Sequence, residues 1–133
     1  MAGKRRRKSL RGTSSNDELT GTPTKRLVYG LAGDDNIGTN EGRYKVYGGE
    51  GKDKFVTLNG GKGYMSIMDM EVGEAIEFCG CASTRIEQFG KKGQHARIVK
   101  GNDIKAIVKG VKADHLSIDF VNAVITMAAD PLA

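Results

Sequence analysis

The spacing of one large apolar side chain constrains this sequence more than any other feature. Written from Gly12, the chain divides into "GTSSNDELT", "GTPTKRLVY", "GLAGDDNIG", "TNEGRYKVY" and "GGEGKDKFV", which run to Val56 without a gap. The eighth place reads Leu19, Val28, Ile37, Val46, Phe55, and the first reads Gly12, Gly21, Gly30, Thr39, Gly48. A fixed period of this kind marks a repeat architecture. In each unit a run of turn-forming residues precedes a short stretch that suits a strand. Along a strand, successive side chains alternate between faces, so the eighth residue points one way and its neighbours the other. Each unit therefore predicts one apolar side chain inside, with glycines reversing the chain between strands. Two units make one full turn of a coil with two parallel sheets back to back.

A core one residue deep per strand does not offset chain entropy by burial alone. The sixth place shows what else holds the turns. It reads Asp17, Arg26, Asp35, Tyr44, Asp53, so aspartate recurs once per full turn, on odd units only. The three aspartates then stack on one edge, about 4.8 Å apart. Carboxylates that close repel by roughly 3 kcal/mol at an effective dielectric of about 20. Asp34, Glu18 and Glu50 add negative charge. A hard divalent cation between successive turns relieves it, and carboxylate and carbonyl oxygens are the ligands calcium takes. The candidate Ca2+ ligands are Asp17, Asp34, Asp35, Glu50 and Asp53. One ion is expected between units one and three and one between units three and five, so that Asp35 alone borders both. The even edge gathers Lys25, Arg26, Arg43 and Lys45 and is basic.

"GLAGDDNIG" and "GGEGKDKFV" resemble the nonapeptide repeats of the RTX (repeats-in-toxin) family, with consensus G-G-x-G-x-D-x-U-x, which bind Ca2+ in a parallel β-roll. Units one, three and five match at the glycine, aspartate and apolar places. Units two and four carry "TPTKR" and "TNEGR" instead of acidic turns. The order "EVGEAIEF" to "GNDIKAIVKGVKADHLSIDF" is similar to the segment that commonly closes such arrays. The resemblance implies a calcium-dependent, exported protein that folds on meeting the ion.

From Asn59 the register slips, although Ile67 keeps the apolar place and Met65 stands where an aspartate would. "YMSIMDM" and "EAIEF" alternate like strands. "TRIEQF" and "HARIVK" flank "GKKGQ" as a hairpin, "DIKAIVKGV" follows a "GN" turn, "KADHL" suits a single helical turn, and "SIDFVNAVITM" ends the pattern. A solenoid end exposes unpaired backbone and apolar rungs, so this half reads as a cap. The expected fold class is all-β: a short parallel β-roll, a two-sheet solenoid of about 18 residues per turn, followed by a β-rich C-terminal cap. The expected divisions are 1–11, a basic flexible tail; 12–68, the roll; and 69–133, the cap.

The net charge is +5, and most of the excess lies in Lys4, Arg5, Arg6, Arg7, Lys8 and Arg11. Such a tail contacts acidic partners or is solvated. No apolar stretch follows it, so it does not read as a cleavable signal peptide, and no run is long enough to span a membrane. Cys79 and Cys81 of "CGC", if extended, lie about 6.6 Å apart, which favours two half-buried thiols over a disulfide or metal site. His95 and His115 sit among polar residues, and Asp114, His115 and Ser117 are too close in sequence to converge as a triad. No H-E-x-x-H, phosphate-binding loop or dinucleotide fingerprint is present, so no catalysis is expected.

Two functions fit. The first is a non-catalytic calcium-binding structural module of a secreted or surface-exposed assembly. The alternative is a small virion or surface-layer component whose basic tail grips an acidic protein, a polysaccharide or nucleic acid.

Overall fold

The computed structural model of the chain describes residues 9–58 and 61–127. The repeating units fold as their period demands. β1 (Ser9–Arg11), β3 (Leu27–Tyr29), β5 (Gly42–Tyr47) and β7 (Gly63–Ile67) lie parallel in one sheet. β2 (Glu18–Thr20), β4 (Asn36–Gly38), β6 (Lys54–Val56) and β8 (Ala75–Glu77) lie parallel in the other. Eighth-place residues meet rung to rung: Leu19 with Ile37 and Ile37 with Phe55 in one sheet, Val28 with Val46 in the other. The result is a parallel β-solenoid of about four turns and about 18 residues per turn.

The last turn is longer. Val46 pairs with Ile67, and Phe55 with Ile76, each three places beyond the partner that the period alone would set. This excess is the register slip seen in the sequence. Met65 pairs with Tyr44, so both occupy the sixth place, and both are buried as core residues.

The C-terminal half closes the roll by continuing both sheets. β11 (Asp103–Val108) adds to β7 in parallel, followed by antiparallel β10 (His95–Lys100) and β9 (Thr84–Phe89). β13 (Val124–Met127) adds antiparallel to β8, with β12 (Leu116–Asp119) outermost. A short 3₁₀ turn at Ala113–His115 connects the two sheets. One apolar core runs from Val28, Ile37, Val46 and Phe55 into Ile98, Val108 and Ile125, all fully buried.

Two expectations are corrected. Ser9–Arg11 is not tail but strand β1, because Leu10 pairs with Val28, one full turn on, and packs against the core. Cys79 and Cys81 are not separate thiols but a disulfide. Gly80 adopts φ +73°, which turns the backbone and brings the Cα atoms to 5.2 Å. The extended spacing does not apply because β8 ends at Glu77.

On the aspartate edge the tight winding makes a first-place glycine obligatory. A Cβ on Gly30 would stand 2.6 Å from the carbonyl oxygen of Gly48 and 2.7 Å from Asp35 Oδ2. Neither group can move without opening the next turn. Gly30→Ala is expected to cost about 2–3 kcal/mol in chemical denaturation. Gly38→Ala is the control, since its nearest neighbours would be 3.8 Å away, and it should be neutral or slightly stabilising.

Candidate cation-binding edge

Asp17, Asp35 and Asp53 immediately precede β2, β4 and β6 and lie on one edge, one turn apart, as their spacing predicts. Asp35 is 1% and Asp53 2% exposed. The carboxylates are separated by backbone donors. The N–H of Asp17 donates to Asp35 Oδ1 at 2.8 Å, and the N–H of Asp35 to Asp53 Oδ1 at 2.9 Å. The N–H of Asp53 donates to Glu74 Oε2 at 3.1 Å, which makes Glu74 the fourth rung. At the open end, the Asp17 carboxylate accepts the N–H of Thr13 at 2.6 Å. The Asp35, Asp53 and Glu74 side chains thus latch one turn to the next, and these bonds relieve part of the repulsion that bare carboxylates would feel.

A second band runs in the opposite sense. The N–H of Asp34 donates to Asn16 Oδ1, and the N–H of Lys52 to Asp34 Oδ1, both at 2.7 Å. Asp34 is exposed, as is Glu50 at its turn, while Glu18 stands on the outer face of β2. Asp69 accepts the N–H groups of Gly48 and Gly49 at 2.8 and 2.9 Å and finishes the glycine edge. Sequence reasoning missed Asn16, Asp69 and Glu74 as members of these bands. Asn16 was visible one turn before Asp34. Asp69 and Glu74 stand 21 residues after Gly48 and Asp53, displaced by the lengthened turn.

The second oxygens carry the chemistry. Asp35 Oδ2 and Asp53 Oδ2 are buried and have no hydrogen-bond partner. Each lies against the first-place glycine of its own unit, Gly30 or Gly48. Beside them, the carbonyls of Ser15, Leu31 and Gly33 press against Gly33, Gly49 and Gly51 of the following turn, an approach that any Cβ would block. All three of those glycines have positive φ. Among the described residues, no three Asp, Glu, His or Cys side chains converge on one point. A hard cation here would therefore combine one or two carboxylates with turn carbonyls, and that all-oxygen donor set suits calcium.

Burial dominates the titration of the ladder. It pushes Asp35 above the usual carboxylate range, against the opposing effect of the Asp17 N–H bond. It raises Asp53 to about 8, helped by the neighbouring Glu74 carboxyl, and it raises Glu74 as well. A buried carboxylate oxygen without a donor is costly, and either a proton or a cation removes the cost.

The other singled-out residues lie elsewhere. Lys4, Arg5, Arg6, Arg7 and Lys8 fall outside the described residues. Arg11 lies in β1 with its guanidinium 5.1 Å from the centre of the Tyr29 ring. His95 Nδ1 accepts the N–H of Gly110 at 2.8 Å, and His115 Nε2 stands 3.9 Å from Asp114 Oδ1. No helix among the described residues is long and apolar enough to cross a membrane.

No family model matches the chain, and comparison with curated proteins finds no significant match.

Proposed function

We propose that this chain is a calcium-stabilised β-roll of the RTX type, acting as a non-catalytic structural module of a secreted or surface-exposed assembly. One observation carries this reading: buried, partnerless carboxylate oxygens recur one turn apart on an edge where glycines let the turn carbonyls approach closely. The chain supplies Asp17, Asp35 and Asp53 as inner ligands, turn carbonyls as the remainder, and Asp34 and Glu50 as exposed charge that draws the cation in. Calcium bound there offsets the charge of the ladder. Extracellular modules of this kind bind calcium at about 10⁻⁴–10⁻³ M, which suits an external medium and not a cytosol. The alternative, a virion or surface-layer subunit held by its basic segment, gains from Arg11 being fixed in β1, where residues 4–8 lead directly into the roll.

The test is thermal unfolding in chelator and in calcium. At a hundredfold excess over Kd, each site should add about 2.7 kcal/mol. Asp53→Asn separates the two roles of the side chain. It keeps an acceptor for the N–H of Asp35 but removes the charge. In chelator it should be at least as stable as the parent at pH 7.5, and it should lose about half of the calcium-induced gain. An unchanged melting temperature on adding calcium to the parent would refute the proposal.

A further inference from the structure

Alternation places the seventh and ninth residues of each unit outside. On the seven-stranded sheet they form continuous rows. One row runs Arg11, Tyr29, Tyr47 along the β1–β3–β5 rungs. The next runs Leu27, Lys45, Ser66, Ile107, Arg97, Glu87 across to β9. Arg43 and Tyr64 begin a third. Lys109 follows β11 and donates its N–H to the carbonyl of Ile67, which continues the first row beyond β7.

The charge on this face is predominantly positive. Its cations are Arg11, Arg43, Lys45, Arg85, Arg97 and Lys109. Among the described residues its strands carry one outward carboxylate, Glu87, held between Arg85 at 2.6 Å and Arg97 at 2.9 Å. Asp103 stands at the rim, in the cleft lined by Arg43, Lys62 and Tyr64. Arg11, Arg43, Lys45 and Lys109 therefore form no ion pair among the described residues. The opposite sheet differs. Its outer face carries Glu18, Glu77 and Asp119, and its Lys54 pairs with Glu77 at 3.0 Å.

We propose that the outer face of the seven-stranded sheet docks duplex nucleic acid through its phosphate backbone, without reading sequence. The surface is broad and built on sheet, and seven strands span about 29 Å at the usual strand spacing. Duplex DNA offers one negative charge per about 1.7 Å, and arginine and lysine are the side chains that neutralise phosphates. The aromatic rings argue against other modes. Tyr29 and Tyr47 stack on each other, with centroids 5.1 Å apart and planes at 16°, and Arg11 covers the free side of Tyr29. Arg43 lies over Tyr64 at 5.7 Å. Both faces of Tyr29 and one face each of Tyr47 and Tyr64 are therefore occupied, which disfavours the base stacking of single-strand binders and the sugar stacking of carbohydrate sites. They hold the guanidinium groups in place, so that less freedom is lost on contact with phosphate. In the sequence, the basic run Lys4–Lys8 immediately precedes β1, the edge strand of this same sheet. The basic face stands whether or not the aspartate edge holds calcium.

The test is the salt dependence of binding of the full chain to a random-sequence DNA duplex, repeated in chelator and in calcium. Arg43→Gln with Lys45→Gln should lower the slope of log K against log salt by about 2. Lys45→Gln alone, whose side chain is exposed, should lower it by about 1 with an unchanged melting temperature. Lys54→Gln on the opposite face should leave it unchanged. Slopes unaltered by the β5 variants would assign all binding to the tail and overturn the proposal. So would binding to heparin that these variants weaken while the duplex does not bind, since the face would then be a polysaccharide site.

Discussion

Phe55→Ala is expected to cost about 4 kcal/mol and to lower Tm by on the order of 15 °C. Phe55 is fully buried on β6, between Ile37 and Ile76 on the neighbouring rungs. Its ring tip reaches the turn, 3.0 Å from where a Cβ on Gly48 would stand. In a thicker core, neighbours relax into a cavity. Here each neighbour is the single inner residue of its own strand, fixed by rung hydrogen bonds and by the aspartate latches on either side. The void stays open, which places the loss high in the usual range for such truncations. Phe55→Leu should cost less than about 1.5 kcal/mol. Lys54→Ala, one residue earlier and outside, should change stability by less than about 0.5 kcal/mol, because its pair with Glu77 is exposed. Urea denaturation reads all three. A loss under about 1 kcal/mol for Phe55→Ala would contradict a core built of single rungs.

The roll was legible because its period is written in residues that cannot be exchanged freely. A large apolar residue at the eighth place and, on the odd units, glycine at the first follow from geometry, so Ile37, Phe55, Gly30 and Gly48 announce themselves. The period in fact extends one unit further back: Leu10 lies one unit before Leu19, and Gly3 opens that unit. The run of lysine and arginine between them masked a strand behind a charge pattern. The aspartate ladder was legible as a spacing but not as a bonding scheme. Which oxygen accepts which N–H depends on the sense of the coil, and side-chain identities do not encode that sense. Glu74 escaped because the turn after Phe55 lengthens, and no composition signal marks where a solenoid makes room for its cap.

The outer face shows the same limit. Applying alternation to the eighth place identifies the core. The same rule sends Lys45, Tyr29 and Tyr47 to the opposite surface, but only the sheet order reveals that Arg97 and Lys109, from the cap, join them. The even-edge cluster of Lys25, Arg26, Arg43 and Lys45 divides accordingly. Arg43 and Lys45 lie on the open face of β5, whereas Arg26 folds back to donate to the Pro23 carbonyl and cover the Tyr44 ring. The disulfide was illegible for a different reason. Whether Cys79 and Cys81 can meet depends on the φ of Gly80, and glycine permits either sign.

In chelator, stability is expected to fall as pH rises from about 5 to about 8, and in saturating calcium it should be nearly independent of pH over the same interval. The sign follows from the ladder. Asp53 is raised from 3.8 to about 8 in the folded chain, chiefly by burial, and Asp35 and Glu74 are raised for the same reason. The folded state therefore binds protons that the unfolded state has released. Stability from this source is complete below the unfolded value of 3.8 and is lost as pH climbs through the folded value. One such site changes stability by at most about 1.4 kcal/mol per pH unit, several degrees of Tm for a chain of this size. Glu87 and Asp119 are lowered, by the arginine partners of Glu87 and by the Asn122 N–H and amide at Asp119. Their contributions are present above their unfolded values of 4.5 and 3.8 and disappear only as pH falls, so they leave the interval above 5 to the ladder. Calcium flattens the slope because it takes the ionised carboxylates and displaces their protons, so that the folded and unfolded states then carry the same number of protons at these groups. Melting temperatures at pH 5, 6.5 and 8, with and without calcium, therefore distinguish the two ways of satisfying Asp35 Oδ2 and Asp53 Oδ2. If stability declines with pH to the same extent in both series, the ladder is neutralised by protons alone and the aspartates are latches without an ion.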